Sequence, residues 1–166
     1  MEVIISMAII YETKNFNVEA VEKPHITRTD GGHIKISPKI RVANRQSITP
    51  KQSVELMWVT TLVGEAMTTA LTKRGIKVGR INYQDNGNWT VFKPEGSYLH
   101  IHLYGRAKNA KIQPYGQACF FPHREEKPEF YEKNEPLDEN DVTAIKEEIK
   151  LLLKEDKYKK KNWLLV

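Results

Sequence analysis

The ten residues "SYLHIHLYGR", at positions 97–106, place two histidines two apart within an apolar and aromatic run. Side chains alternate between the two faces of a β-strand, so residues two apart share a face and lie about 6.6 Å from each other. Leu99, Ile101 and Leu103 would form an apolar face toward the core. The opposite face would be polar and aromatic, with Tyr98, His100, His102 and Tyr104. The stretch therefore predicts a strand that can present imidazoles on one side.

Length and composition indicate one domain of ordinary size. The 166 residues are enough to bury a substantial core, and 40% of them are hydrophobic while 28% are charged. The formal net charge is +5, and the excess lies near the C-terminus at Lys157, Lys159, Lys160 and Lys161. This cluster is either a solvated tail or an arm that binds nucleic acid or a membrane surface.

Cysteine usage and the N-terminal sequence bear on the cellular compartment. Cys119 is the only cysteine, so no internal disulfide can form, and a reducing cytoplasm is the expected location. The first ten residues, "MEVIISMAII", are apolar, but they lack a basic segment and a small-residue cleavage site. They are also too short to span a bilayer, and we expect a strand there.

Three strands are expected before the first helix. Residues 7–21, "MAIIYETKNFNVEAV", predict two strands around a turn at residues 13–15. In residues 25–40, "HITRTDGGHIKISPKI", a turn at residues 30–32 precedes a strand from His33 to Ser37, which Pro38 closes.

The segment that follows predicts a long helix. Thr49 is a suitable N-cap, Pro50 suits the first helical position, and Gln52 stands three residues after the cap. The helix should run from Pro50 to about Arg74 and end at Gly75. Apolar residues at near-helical spacing predict its buried face, which holds Val54, Trp58, Leu62, Met67 and Leu71.

Two more strands are expected before the histidine strand. "IKVGRINY" (76–83) and "WTVF" (89–92) have strand composition, and Asn86-Gly87 between them is a strong turn signal. The loop "KPEGS" (93–97) then leads into the histidine strand.

The last third of the chain predicts a loop, a helix and an apolar end. Residues 107–136 lack periodicity and are expected to form ordered loop. An amphipathic helix is predicted from Asp138 to about Tyr158, with Val142, Ile145, Ile149 and Leu152 on its buried face. The final "KKNWLLV" (160–166) is expected to dock on the body of the protein or on a partner subunit.

This order of elements predicts an α+β fold. Antiparallel strands with inserted helices differ from the strict alternation that builds a parallel sheet. The sequence contains neither G-x-G-x-x-G nor G-x-x-x-x-G-K-[ST], so the common phosphate-binding loops are absent.

Two close histidines in a strand support three interpretations by themselves. His100 and His102 could simply pack among the tyrosines. With His33 as a third ligand they could hold zinc, although no H-E-x-x-H helix supplies a recognised ligand set. In the third interpretation, a neutral imidazole attacks an electrophilic centre while a neighbour fixes its tautomer or assists the leaving group.

Three segments together favour the third interpretation. "YLHIHLYGR" (98–106) is similar to a strand H-Φ-H-Φ-H-Φ-Φ, with Φ apolar, that carries an arginine four residues after its last histidine. "GGHIKISPK" (31–39) is similar to G-H-Φ-Φ-Φ-x-P-K, and "RINYQDNGNWTV" (80–91) to a strand and Gly-rich loop ending in Gln-Ser/Thr-Val. On these motifs, over residues 8–107, the sequence resembles the histidine triad (HIT) family of nucleotide hydrolases and nucleotidyl transferases.

The resemblance implies catalytic roles for two histidines. His100 corresponds to the middle histidine, which attacks the α-phosphorus of a bound nucleotide and forms a covalent nucleotidyl-histidine. His102 corresponds to the last histidine and would hydrogen-bond the phosphate or protonate the leaving oxygen. Tyr98 occupies the position of the first histidine, and "FKPEG" (92–96) looks like an insertion beside the phosphates.

The resemblance also implies substrate-binding residues. Asn82 and Thr90 would hold phosphate oxygens, and Trp89 stands where the family often has glutamine and would stack on a base or fill the pocket. His33 and its preceding turn would help to line the nucleoside pocket, and Arg106 is the arginine that follows the triad.

The expected protein is therefore a HIT-like enzyme. We expect a HIT-like antiparallel sheet with one long inserted helix in residues 1–125, and a C-terminal extension with an amphipathic helix and a basic tail in residues 126–166. The substrate would be a nucleoside phosphate ester, a phosphoramidate or a dinucleoside polyphosphate. No cofactor is expected, apart from a divalent metal accompanying the nucleotide. The resemblance further implies a homodimer, and the single cysteine implies a cytoplasmic location.

The alternative is a catalytically weak nucleotide- or RNA-binding module on the same scaffold. Tyr98 in the triad, Trp89 and the basic tail favour it. Such a module would bind nucleotide whether or not His100 is present, with a salt-dependent contribution from the tail.

Overall fold

The fold is a five-stranded antiparallel sheet with two helices against it. The computed structural model describes residues 8–85 and 87–166, and for Asn88 only the backbone. Residues 1–7 of the strand expected in the first ten residues, and the Asn86 turn position, lie outside the described residues. The strands are β1 (Ile9–Glu12), β2 (Phe16–Ala20), β3 (His33–Pro38), β4 (Val78–Asp85) and β5 (Ile101–Ala107). They pair in the order β1-β2-β3-β5-β4, which confirms the expected α+β class.

The long helix forms where the sequence predicts it. Helix α1 (Pro50–Lys73) begins with a capping box: the backbone N–H of Gln52 donates to the Thr49 hydroxyl, and the Thr49 N–H donates to the Gln52 side chain. Gly75 follows the helix with a φ of 91°, a conformation that glycine adopts without strain. The predicted face is buried except for Val54, which is 38% exposed.

The C-terminal extension packs into the same core as the sheet. Helix α2 (Glu129–Glu132) is a single turn, and α3 (Glu139–Leu152) lies against α1. The predicted buried face of α3 is confirmed, since Val142, Ile145, Ile149 and Leu152 all join the core. Residues on both sides of position 125 share this core. The division into a domain (1–125) and a C-terminal extension (126–166) therefore stays a prediction.

The second long helix is shorter than the sequence predicts. It ends at Leu152 rather than near Tyr158, and two short 3-10 turns follow it, at Asp156–Tyr158 and Lys160–Trp163. Tyr158 is buried, and its carbonyl accepts a hydrogen bond of 3.1 Å from the Trp58 indole. This contact with Trp58 stabilises the chain more than further helical turns would, and it holds the basic end of the chain against α1.

One predicted strand is wrong. "WTVF" does not pair with the sheet: residues 88–90 form a 3-10 turn, and Phe92 is 98% exposed. The backbone N–H and the hydroxyl of Thr90 both donate hydrogen bonds to the Gly87 carbonyl, at 3.3 and 3.1 Å. These local hydrogen bonds satisfy the backbone without a neighbouring strand.

The sheet separates an apolar layer from a histidine-rich layer. Leu99, Ile101 and Leu103 are buried in the core with α1, as their spacing predicts. His102 and Tyr104 project from the other side of β5. Among the described residues, no helix has the length and apolar character needed to cross a membrane.

Candidate functional site

Strands β3 and β5 bring two distant histidines into contact. The strands are adjacent and antiparallel, with His33 opposite Tyr104 and Lys35 opposite His102. The Nε2 atom of His33 lies 2.7 Å from the Nδ1 atom of His102, and both side chains are buried. The sheet register, which spacing along the chain does not specify, therefore creates this pair.

Hydrogen bonds assign the tautomers of this pair. The backbone N–H of His25 donates to Nδ1 of His33 at 3.1 Å, and an amide nitrogen can only donate. Neutral His33 must then carry its proton on Nε2, which donates to Nδ1 of His102. Neutral His102 consequently carries its proton on Nε2.

His100 has the opposite tautomer. Its Nδ1 lies 2.9 Å from the backbone carbonyl of Tyr98, which can only accept. The proton of neutral His100 is therefore on Nδ1, and Nε2 keeps a free electron pair. The rings of His100 and His102 meet edge to face with centroids 4.6 Å apart. The two histidines thus combine a potential nucleophile with a hydrogen-bond donor.

Burial keeps these imidazoles neutral. Desolvation is the largest cause in every case, and it lowers the pKa of His25 to about 4 and that of His102 to about 2. The pKa of His33 lies well below its ordinary value, and that of His100 is also lowered. A neutral His102 with one proton is suited to donating a hydrogen bond, and poorly suited to giving that proton away.

A cavity of about 400 Å³ opens in front of His102 on β5 and His100 just before that strand. Its volume suits a small-molecule ligand. The lining residues are His25, Gln84, Gly87, Trp89, Thr90, Tyr98, His100, His102, Cys119 and Phe121. Five of the eight site residues predicted from sequence are among them: Trp89, Thr90, Tyr98, His100 and His102. His33 lies behind His102 as its hydrogen-bond partner.

The other two predicted residues, Asn82 and Arg106, do not line this cavity. Asn82 lies opposite Tyr104 on β5, whereas Gln84, two residues later on the same face of β4, lies opposite His102. Arg106 is buried, and its guanidinium donates to the Asn82 side chain at 3.2 Å. Gln84 rather than Asn82 is therefore the β4 side chain in the cavity wall.

Arg106 organises a loop instead. It donates to the carbonyls of Pro114 and Gln117, both at 2.9 Å. Asp30 holds the start of the same loop by accepting the backbone N–H groups of residues 111, 112 and 113 at 2.8 to 2.9 Å. These anchors bring Cys119 and Phe121 to the cavity, so a segment without sequence periodicity forms one of its walls.

His25 is the histidine of this site that the sequence analysis did not assign. Its Nδ1 lies 2.7 Å from the Tyr104 hydroxyl, and its ring contacts the rings of His33, Trp89 and Phe121 at centroid distances of 4.9 to 5.3 Å. His25 lies in a loop with no helical or strand pattern. Its distance of eight residues from His33 carries no recognisable motif, so only the tertiary structure identifies it.

Three of the imidazoles are close enough to share a metal ion. One ligand atom from each of His25, His33 and His102 lies within 4.8 Å of the others, whereas the sequence suggested His33, His100 and His102, so His25 takes the place expected of His100. A metal at this point would have to replace the His33–His102 hydrogen bond. It would also force a proton onto Nδ1 of His33, which now accepts from the His25 amide. The geometry therefore favours a hydrogen-bond relay over a metal centre.

Known structures share this fold at low sequence identity. No protein-family model and no curated protein matches the sequence. A hypothetical histidine triad nucleotide-binding protein from Sulfolobus tokodaii strain 7 superposes with a TM-score of 0.61 at 20% identity, covering 92% of this chain and 90% of that one. A zinc-bound histidine triad family protein from Mycobacterium smegmatis gives 0.57 at 18% identity, covering 89% and 86%.

A histidine triad protein from Marinobacter aquaeolei VT8 gives a TM-score of 0.58 at 14% identity, covering 89% of this chain and 88% of that one. In each case the match extends over nearly the whole chain, including the C-terminal third for which the sequence offered no assignment. Because these structures superpose on nearly the whole chain, they assign its architecture: this chain has the histidine triad fold.

Proposed function

We propose that this chain is a HIT-family nucleotide hydrolase or nucleotidyl transferase with His100 as the nucleophile. The observation that carries the proposal is the hydrogen bond of 2.9 Å between His100 Nδ1 and the Tyr98 carbonyl. It leaves the electron pair of Nε2 free on a neutral imidazole in the wall of a ligand-sized cavity. The substrate would be a nucleoside phosphate ester, a phosphoramidate or a dinucleoside polyphosphate.

In the first step, the Nε2 electron pair of His100 forms a bond to the α-phosphorus. The bond from phosphorus to the leaving group breaks, and the leaving group departs with that electron pair, taking a proton from solvent where it needs one. The imidazole becomes a cationic nucleotidyl-imidazole, which the Tyr98 carbonyl stabilises by accepting from Nδ1–H.

In the second step, water or another acceptor attacks phosphorus. The phosphorus–nitrogen bond breaks, its electrons return to Nε2, and the proton of the attacking water passes to solvent. His102 would donate its Nε2–H to a phosphate oxygen as negative charge builds there, which is the role that its buried neutral state supports. Thr90 would offer a hydroxyl to the phosphate, and Trp89 an aromatic face to the base.

The test is intact-protein mass spectrometry after brief incubation with adenosine 5′-phosphoramidate or a diadenosine polyphosphate, quenched at high pH. The wild-type protein should gain one nucleotidyl mass, and His100→Ala should not. His123→Ala is the matched control, because it removes an imidazole that does not line the cavity, and it should keep the adduct. Substrate turnover by His100→Ala at the wild-type rate would overturn the mechanism.

The binding-module alternative makes a different prediction for the same proteins. It expects nucleotide to bind without an adduct, and with the same affinity in His100→Ala. Fewer lysines of the basic tail are available to bind nucleic acid than the composition suggests. Lys157 forms an ion pair with Glu65, and Lys159 forms one with Asp156. Calorimetric titration with AMP at two salt concentrations distinguishes the two functions.

The proposal also covers the metal requirement, the oligomeric state and the cellular location. The covalent step needs no metal, and a divalent cation would enter only with a polyphosphate substrate. We propose a homodimer, as the resemblance implies, in the reducing cytoplasm that a single cysteine suits. Sedimentation equilibrium of the full chain tests the dimer directly.

A further inference from the structure

We propose that Arg41 is a positioning residue for the His100 imidazole, and that it acts through the ring of Tyr98. The inference rests on the proposed function, because it concerns the orientation of the nucleophile. It assigns a purpose to Tyr98 at the position where the family pattern has a histidine.

The ring of Tyr98 contacts His100 and a guanidinium. It stacks on the His100 ring with centroids 4.4 Å apart and planes 29° from parallel. The Cζ atom of Arg41 lies 4.7 Å from the centroid of the same Tyr98 ring, within the range of a cation–π contact. The tyrosine therefore links an arginine outside the cavity to an imidazole in its wall.

The guanidinium is itself held in place. Its Nη2 donates to the backbone carbonyls of Glu95 and Gly96, both at 2.8 Å. Glu95 and Gly96 lie in the loop before Tyr98, with only Ser97 between Gly96 and the tyrosine. Arg41 thus restrains the backbone before Tyr98 and the ring of Tyr98 with one side chain.

Backbone contacts extend the restraint to the other side of Tyr98. The Leu99 N–H donates to the Val42 carbonyl at 2.8 Å, so residues 41 and 42 contact both flanks of the tyrosine. The Tyr98 carbonyl then receives the Nδ1 proton of His100. Both the ring and the carbonyl of Tyr98 orient the imidazole, and both depend on the residue 41–42 segment.

Fixing an exposed arginine in one geometry costs side-chain conformational entropy. Three contacts of Arg41 offset this cost: two hydrogen bonds to backbone carbonyls and the cation–π contact with Tyr98. The ammonium group of a lysine could contact the Tyr98 ring or one carbonyl. It lacks the planar guanidinium that contacts the ring and both carbonyls at once. The inference therefore distinguishes Arg41 from a generic surface charge, and it predicts that the face of Tyr98 matters more than its hydroxyl.

The test compares Arg41→Gln, Arg41→Lys, Tyr98→Phe and Tyr98→Leu in the full chain, with Arg80→Gln as a control at another exposed arginine. Steady-state hydrolysis of adenosine 5′-phosphoramidate gives kcat and KM. We expect Arg41→Gln to lower kcat about tenfold with KM within twofold, because a misplaced nucleophile reduces reaction rather than binding. Arg41→Lys should recover part of the loss, and Arg80→Gln should match the wild type.

The tyrosine variants test the route of the effect. Tyr98→Phe keeps the aromatic face and should lose at least fivefold less kcat than Tyr98→Leu. A kcat for Arg41→Gln within twofold of the wild type would overturn the proposal. So would equal losses in Tyr98→Phe and Tyr98→Leu.

A readout without substrate separates this inference from the proposed function. In ¹⁵N-labelled protein, the hydrogen-bonded Nδ1–H of His100 should give a slowly exchanging proton signal that broadens or vanishes in Arg41→Gln and persists in Arg80→Gln. If the wild type forms no adduct, the proposed function fails and this signal alone decides the role of Arg41. A signal unchanged in Arg41→Gln would overturn the positioning role whatever the activity.

Discussion

His33 on β3 and His102 on β5 are joined by a hydrogen bond of 2.7 Å between Nε2 and Nδ1, although 69 residues separate them in the chain. The His25 amide behind them sets the direction of this bond, so His102 presents a donor rather than an acceptor. The hydrogen bonds from the His25 amide to His33, and from His33 to His102, fix the position of the proton on His102. A neutral His102 can therefore donate a hydrogen bond at neutral pH despite its low pKa.

Replacing His33 tests this relay. His33→Phe would leave Nδ1 of His102 without a donor, so His102 could adopt the other tautomer and turn an acceptor toward the phosphate. We expect adduct formation to fall by about 10-fold to 100-fold, by analogy with the removal of a hydrogen-bond partner that orients a metal-bound histidine. His33→Gln keeps an N–H donor and should lose less. Equal rapid-quench rates for the two variants would contradict the relay.

The acid limit of the reaction should lie below the ordinary histidine range. Burial lowers the pKa of His100, with Lys35 acting in the same direction and the Tyr98 carbonyl and Asp85 opposing it. The nucleophile must be neutral, so the rate should stay near its maximum as the pH falls to about 6.5 and decline only below that value. Initial rates of adduct formation from pH 4.5 to 8 measure the midpoint. A midpoint at or above 6.5 would exclude His100 as the buried nucleophile.

The same burial should make folding stability depend on pH. The folded-state pKa of His25 is about 4, whereas an unfolded histidine titrates near 6.5, so the unfolded chain binds more protons between these values. The contribution of neutral His25 to stability is therefore complete above pH 6.5 and is lost as the pH falls toward 4. The slope is at most about 1.4 kcal/mol per pH unit for one histidine. Urea unfolding at several pH values should show a shallower slope in His25→Gln than in the wild type.

Asp141 should be a major contact between α3 and the rest of the fold. Its side chain is fully buried and accepts from Arg28 at 2.7 and 3.0 Å and from Arg74 at 2.5 Å. Asp141→Asn removes the charge that both guanidiniums face, and we expect the free energy of unfolding to fall by about 3 kcal/mol. Asp138→Asn is the matched control, because Asp138 is 44% exposed and asparagine remains a good N-cap. Chemical denaturation should show a loss below about 1 kcal/mol for the control.

Local patterns in the sequence predicted local structure well. The Thr49–Gln52 capping box predicted where α1 begins, because a cap depends only on residues within one turn. Alternation along β5 predicted which side chains face the core. The strand expected at "WTVF" was wrong because composition cannot show whether a partner strand is within reach, and Thr90 bonded back to Gly87 instead.

Prediction of the candidate site was limited by sequence distance. His100 and His102 were recognisable because both lie in one short motif. His25 was missed because its contact with Tyr104 spans 79 residues and leaves no periodic signal. Arg106 was taken for a substrate contact, whereas its buried position assigns it to the loop that carries Cys119 and Phe121.

The sequence by itself determined the α+β class, the long capped helix, the two-faced histidine strand and the resemblance that pointed to nucleotide chemistry, because each depends on neighbouring residues. Only the tertiary structure decided which imidazole carries which proton, that Gln84 takes the place expected of Asn82, and that Arg41 reaches Tyr98. Those features depend on strand register and loop anchoring. Register follows from burying one face of every strand at once, and no single segment encodes that requirement.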